Sequence, residues 1–459
     1  MLLRNRRAVE VDVDTGDTAW LLTSSALVLL MTPGLAFFYG GMVRSKSVLN
    51  MMMMSLGAIG VVGVLWVLVG YSTAFGTDVG AGLLGKPFEF FGLDGLLGKE
   101  SLFGTIPTTV FVAFQAMFAI ITVALISGAI ADRARFGPWL LFAGLWSIVV
   151  YFPVAHWVFD FDGKDADGNV IDPGGWIANK LLAIDFAGGT AVHINAGAAG
   201  LALAIVLGKR VGWPKDRMKP HSLPLVVLGA GLLWFGWFGF NAGSAVAANT
   251  TAGVTFVNTL VATSAAMLAW LVVERVRDGN ATTLGAASGI VAGLVAITPA
   301  CSSVTPLGAI GVGAITGALC ALAVSLKYRF GFDDSLDVVG VHLVGGLSGT
   351  ILIGFFASSA APAGVNGLFY GGGVDQLWRQ AVGALAVLAY SFVLSLVLGY
   401  LVKLTVGFRA DQESEVGGID EAEHAETAYE FGSGLGSRGN SKPSVAAGAT
   451  AVLEGSNKS

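Results

Sequence analysis

The chain has 459 residues, of which 54% are hydrophobic and only 12% charged, with a formal net charge of -5. Soluble domains carry about a quarter charged residues, so this balance excludes an ordinary soluble protein and points to a chain that lives in lipid. No basic stripe invites nucleic acid, and Cys301 and Cys320 have no C-x-x-C or Cys/His spacing, so both read as small core residues.

The first stretch, MLLRNRRAVEVDVDTGDTA (1–19), lacks an apolar h-region, so no cleaved signal peptide is expected and it reads as a segment outside the membrane. Apolar runs then fall at about 20–43, 51–75, 106–131, 137–159, 186–208, 222–241, 255–273, 282–300, 307–326, 337–357 and 380–404. Each is about 20 residues, the length that crosses a hydrocarbon core near 30 Å thick. In lipid such runs satisfy their backbone only as helices. The expected fold is therefore all-α and polytopic, with about eleven transmembrane helices in a domain over 20–405. The 65 glycines suit closely approaching helices.

Lys and Arg are distributed unevenly. Loops after odd-numbered runs hold 13 and loops after even-numbered runs hold 5, which places the first set in the cytoplasm, the N-terminus outside and the C-terminus inside. Arg4, Arg6 and Arg7 oppose this bias but are followed by Glu10, Asp12, Asp14 and Asp17. Runs 1–5 and 6–10 then have opposite orientation, as two five-helix inverted repeats followed by a final helix. Acids followed by a histidine mark both fifth members: DFAGGTAVH (185–193) and DVVGVH (337–342). Sites in inverted-repeat transporters lie near the midplane, between the halves.

His193 and His342 are the foremost candidate site residues. Ionisable groups are costly at bilayer depth and usually mark a pathway or a buried partner. A neutral imidazole donates from one nitrogen and accepts at the other, so two in contact could hold a small polar molecule or pass a proton. The plainer alternative is two separate histidines, each bonded to a backbone carbonyl. Asp185 reads as a helix cap that also lends negative potential, with direct substrate contact as the alternative. Phe114 and Phe118 share a helical face, Trp157 and Phe159 sit near the end of the fourth run, and Trp237, Phe238 and Phe240 sit near the end of the sixth, beside Asn241 and Ser244. Aromatic faces attract cations, although belts and packing account for most membrane aromatics. His156, near Asp160 and Asp162, reads as a local hydrogen-bond group, and Met51–Met54 as adaptable packing.

MTPGLAFFYGGMVRSKSVLNMMM (31–53), DFAGGTAVHINAGAAGL (185–201), WFGFNAGSA (237–245) and DDSLDVVGVHLVGG (333–346) together resemble the ammonium transporter (Amt/Mep/Rh) family over nearly the whole chain. The resemblance implies a homotrimer of eleven-helix protomers in the cell membrane, each with its own hydrophobic pore. It implies that His193 and His342 are the paired pore histidines and that Phe118 and Phe240 are stacked rings closing the pore on the outside. Asp185 corresponds to the aspartate beneath the recruitment site, Phe114, Phe159, Trp237 and Ser244 to that vestibule, and Phe38 and Tyr39 to the family's L-F-Y-G-G-type segment. One departure is clear: on AHWVF, the family's vestibule tryptophan position holds Phe159, a weaker cation–π partner. The acidic stretch FDGKDADGNVIDPGGW (161–176) could offset this by concentrating cations. GGIDEAEHAETAYEF (417–431) resembles the family's cytoplasmic regulatory segment, which implies docking of a PII signal protein. Residues 406–431 form that segment, and 432–459 read as a disordered tail.

The expected activity is transport of ammonium, with no cofactor, no metal and no enzymatic step. Ammonium would be recruited at the vestibule and deprotonated, and ammonia would pass the twin histidines with its proton carried separately. Two rival functions could use the same residues. A membrane metalloenzyme would use His193, His342, His156 and Asp185, but the sequence has no local H-E-x-x-H pair. An ammonium sensor could share every pore residue.

Overall fold

The computed structural model describes residues 12–164, 168–216 and 218–429. The tail over 432–459 and Arg4, Arg6 and Arg7 lie outside the described residues. The helices belong to one compact unit, Met1–Ala428.

Among the described residues ten helices are long and apolar enough to cross a membrane, and a shorter one makes eleven. In chain order they are α1 (Thr15–Met42), α2 (Val48–Phe75), α3 (Thr108–Ile130), α4 (Phe136–Phe159), α5 (Gly189–Leu207), α6 (Leu223–Gly243), α7 (Thr250–Asp278), α8 (Thr283–Ile297), α9 (Pro306–Phe330), α10 (Val339–Phe356) and α11 (Asp375–Thr405). Two short helices follow, α12 (Gln412–Gly417) and α13 (Ile419–His424). The only strands among the described residues are three two-stranded pairs in loops.

Several boundaries depart from the hydropathy reading, three of them for a plain local reason. α1 starts at Thr15 rather than 20 because Asp14 caps it, accepting the Asp17 amide at 2.8 Å. α5 starts at Gly189 rather than 186 because the side chain of Asp185, three residues before the cap residue Gly188, accepts the Gly189 amide at 2.6 Å. α8 stops at Ile297, since Pro299 cannot donate to a continuing helix. Its 15 residues rise about 22 Å, too little to cross a 30 Å core alone.

The inverted repeat is visible in how the histidine-bearing helices begin. α5 and α10 both open with a wide turn bonded five residues back, Gly189–Ile194 and Val339–Leu343, and each turn holds the histidine. Each opening is hung from the end of the third helix of the other half. The Phe186 amide donates to the Pro299 carbonyl after α8, and the Ser335 and Leu336 amides donate to Ala129 and Gly128 at the end of α3. The structure also shifts the register of the repeat. The counterpart of Asp185 is Asp334, which accepts the Val338 amide at 3.1 Å and the Val339 amide at 2.7 Å. Asp337 instead adopts φ +63° and pairs with Lys327 at 2.7 Å.

Small residues bring the halves together. A Cβ on Gly229 of α6 would stand 2.7 Å from the Gly34 carbonyl of α1, so close backbone approach depends on glycine there.

The basic loops converge on the end where α11 terminates. Arg210 forks onto Asp333 at 2.8 and 2.9 Å and reaches Asp132 at 3.0 Å. A buried Arg133 donates to the Asp333 carbonyl at 2.6 Å. The segment after α11 straps across this end: the Ala410 amide donates to the Arg133 carbonyl at 2.9 Å, and Glu415 takes Arg409 and the Val211 amide, both at 2.6 Å. Asp420 accepts the Leu49 and Asn50 amides at 3.0 and 2.8 Å, and Glu423 accepts the Phe136 amide at 3.0 Å. Neither α2 nor α4 has a side-chain cap from its own N-cap residue, so the strap supplies acceptors to both positive helix ends. Asp420→Ala and Glu423→Ala should each cost about 0.5–2 kcal/mol. Both should lower the thermal midpoint of purified protein; an unchanged midpoint in the double variant would show the caps to be dispensable.

Candidate functional site

The site begins with a helix start. Asp185 spends Oδ1 on the Gly188 and Gly189 amides at 3.0 and 2.6 Å, and Oδ2 on Thr190 and Ala191 at 2.8 and 3.0 Å. These four amides are the donors that the first turn of a helix leaves open. An ionised carboxylate has about four acceptor sites, so Asp185 is fully engaged as a cap and presents no lone pair elsewhere. Gly188 makes the turn possible at φ +113°, where an L side chain is strained.

That turn carries His193 toward His342. The Nδ1 atoms stand 3.3 Å apart, with rings inclined by 18° and centroids separated by 5.4 Å. The reading of two unrelated histidines bonded to carbonyls is thereby overturned. His193 Nε2 is buried and has no protein partner. Trp237 lies nearly parallel to His193, at 5.3 Å and 18°.

On the α4-terminus side, Phe240 and Phe118 stack at 4.1 Å and 17°. Phe114 meets Phe118 edge-on at 4.9 Å and Phe159 does so at 6.3 Å. Ser244, partly exposed at the end of α6, donates to the Phe240 carbonyl at 2.8 Å and keeps its lone pairs for a further donor. Phe114, Phe118, Phe159, Phe240 and Ser244 thus gather as the motifs imply, but Trp237 does not belong with them. It is buried on the histidine side of Phe240, because seven residues separate it from Ser244, about 10 Å along a helix.

Between the rings and the histidines runs a lumen whose other walls are Met31, Leu35, Ile121, Leu125, Val192, Leu233, Trp237 and Val291. No charged side chain lines it, and its cavity volume of about 10 Å³ matches one water-sized molecule. Tyr39 of α1 ties to this wall, its hydroxyl donating to the Leu125 carbonyl at 3.0 Å.

His156 has different company. Its Nδ1 faces the Ala74 carbonyl at 3.1 Å and its Nε2 faces Asp78 at 3.2 Å, with Asp160 3.3 Å from Nδ1. Burial, with Asp172 and Asp78 nearby, pushes the Asp160 carboxyl up to about 8. Among the described residues no group of His, Cys, Asp and Glu has the geometry to hold a metal ion. Both cysteines are free and buried, Cys301 in the turn before α9 and Cys320 within it.

Sequence reasoning missed Asp334 and Thr298, which accepts the Trp237 indole N–H at 2.8 Å. The signal for Asp334 was spacing: it precedes His342 by the same eight residues that separate Asp185 from His193.

Eleven apolar helices around a narrow, uncharged lumen with paired imidazoles form the architecture of a membrane channel or transporter. The Ammonium Transporter Family profile matches residues 19–429. The chain is 66% identical to an ammonium transporter of Mycobacterium tuberculosis strain H37Rv, over 92% of each protein. It is 48% identical to an ammonium transporter of Aquifex aeolicus, covering 92% of this chain and 95% of that one. Its fold matches Saccharomyces cerevisiae Mep2 with a TM-score of 0.81 at 36% identity, over 92% and 93% of the two chains. A sensor Amt protein matches with a TM-score of 0.80 at 30% identity, over 89% and 98%. The chain belongs to the ammonium transporter family: it is a multi-pass transporter of the cell membrane and not an enzyme.

Proposed function

We propose that this transporter takes ammonium at the Phe114/Phe159/Ser244 mouth, deprotonates it, and passes ammonia between Phe118 and Phe240 to the His193–His342 pair. The observation that carries this reading is the 3.3 Å contact between the two Nδ1 atoms inside an uncharged lumen. A neutral pair shares one Nδ1 proton, so one ring has its lone pair on Nε2 and the other has its N–H there. Ammonia both donates and accepts, and fits such a pair. Potassium cannot shed its charge and would bear the full desolvation penalty in this lumen. Ammonium escapes that penalty by leaving its proton to travel separately.

The Lys/Arg asymmetry supports an N-out, C-in orientation, with the ring-gated mouth outside. In the domain division we propose, 1–19 is external, although α1 begins within it at Thr15. Residues 20–405 transport, and 406–431 form a cytoplasmic regulatory segment that docks a PII-type signal protein; its described part is the strap over α2 and α4. Homotrimer formation is proposed on family grounds.

With Phe at 159, recruitment leans on nearby negative charge. Asp160 does not supply it below about pH 8, where burial keeps its carboxyl protonated. A carboxyl raised in the folded state favours folding while protonated, and this contribution falls as pH rises from the unfolded value near 4 through about 8. Asp160→Asn should therefore match the wild type in thermal midpoint near pH 4, exceed it at pH 6 and exceed it by more at pH 9. A midpoint difference independent of pH would contradict the assignment.

Cells lacking their own ammonium carriers test the activity. On low ammonium at acidic pH, where little free ammonia diffuses, expression of this chain should restore growth. Failure despite normal membrane levels would favour the second reading, a poorly conducting sensor, which the sensor Amt neighbour makes specific.

A further inference from the structure

Where α8 ends, Thr298 sits fully buried between two partners. Its hydroxyl donates to the Leu294 carbonyl at 2.7 Å and accepts the Trp237 indole N–H at 2.8 Å. Trp237 is itself buried, lines the lumen, and lies face to face with His193 at 5.3 Å and 18°. Among the described residues the His193 ring makes one hydrogen-bonding contact, Nδ1 to His342, its Nε2 has no protein partner, and Phe240 lies tilted against the ring at 6.3 Å. The contacts run in one line, from Thr298 through Trp237 to His193.

Two physical consequences follow. An indole N–H can only donate. Left free beside the lumen, it would be a third polar group there, competing with the imidazoles for the lone pair of ammonia or water. Bonded to Thr298, that donor is withdrawn and the lumen keeps imidazole as its sole polar surface. The second consequence is mechanical. Aromatic contact fixes ring separation but leaves rotation in the plane open. The Thr298 bond sets the rotation of the indole, and with it the surface against which His193 rests. Pro299, next in the chain, abuts Gly189 at the start of α5, so that a Cβ there would clash with the proline ring. The same two residues therefore fix both the base of the helix that bears His193 and the ring that covers it.

We propose that Thr298 is a positioning residue for selectivity, acting on His193 through Trp237. This rests on the reading of His193 and His342 as the lumen groups that handle ammonia. Thr298 touches no substrate; it holds the indole in one orientation and keeps the indole donor out of the lumen.

The test is the ratio of ammonium to potassium current in proteoliposomes on a solid-supported membrane. Thr298→Val keeps the branched shape and removes the acceptor, and should lower the ratio at least fivefold with folding retained. Thr298→Ser keeps the hydroxyl and should preserve the ratio. In a Trp237→Phe background, where no indole donor exists, Thr298→Val should add no further change. Should Thr298→Val fail to fold, Thr298→Ala carries the same comparison. An unchanged ratio in folded Thr298→Val, or an equal drop with and without Trp237, would overturn the proposal. His193→Ala measured alongside separates the two levels. If it leaves the ratio intact, the histidine reading itself fails; if it lowers the ratio while Thr298→Val does not, only the role of Thr298 fails.

Discussion

Replacing His342 with alanine should lower ammonium flux by roughly 5- to 150-fold, because a buried hydrogen-bonding group is worth about 1–3 kcal/mol and each 1.4 kcal/mol is a factor of ten. The loss falls on a lumen whose other walls are aliphatic, thioether or ring surface and offer ammonia no substitute partner. His193→Ala should have an effect of the same size, since the two imidazoles share one Nδ1–Nδ1 contact and removing either leaves the other unpaired. For the same reason the double variant should be little worse than either single one. His342→Gln, which restores a donor and an acceptor on a side chain of similar reach, should recover part of the flux. Initial uptake rates in proteoliposomes at matched protein density check this series. Fluxes within twofold of wild type in both alanine variants would remove the histidines from the pathway.

Asp185→Ala should prevent stable folding. The substitution strands the Gly188, Gly189, Thr190 and Ala191 amides in a buried turn. Each costs about 1–3 kcal/mol when left unpaired, and four together are comparable to the 5–15 kcal/mol that holds a typical domain. Asp185→Asn keeps one oxygen and turns an NH2 group toward the other pair of amides, so about half of that loss should remain. Membrane yield and thermal midpoint should fall in the order wild type, Asn, Ala. A stable Asp185→Ala protein with weakened ammonium binding would instead make Asp185 a substrate ligand, the alternative that its hydrogen bonds argue against.

Much of this architecture was legible because membrane helices obey a coarse rule: length and apolarity mark each span, and charge marks its ends. The aromatic and histidine motifs were legible as chemistry, and His193, His342, Phe118 and Phe240 do meet. Geometry within a helix was less legible. Trp237 and Ser244 lie in one short motif, yet two helical turns put them on opposite sides of Phe240. Asp337 is the acid nearest His342 in sequence, but a left-handed backbone turns it to Lys327 and leaves the cap to Asp334. Thr298 could not be found by pattern at all. Its importance comes from a hydrogen bond across 61 residues, and a lone threonine before a proline carries no sign of that.

The most direct measurement of the central claim is charge movement on a solid-supported membrane coated with proteoliposomes, pulsed with ammonium and then with potassium. The account predicts a protein-dependent ammonium signal many times the potassium signal, and loss of the ammonium signal or of its selectivity in His193→Ala and His342→Ala. Equal potassium and ammonium currents through the wild-type protein would contradict it, because a lumen that strips ammonium of its proton has no means of passing a permanent cation.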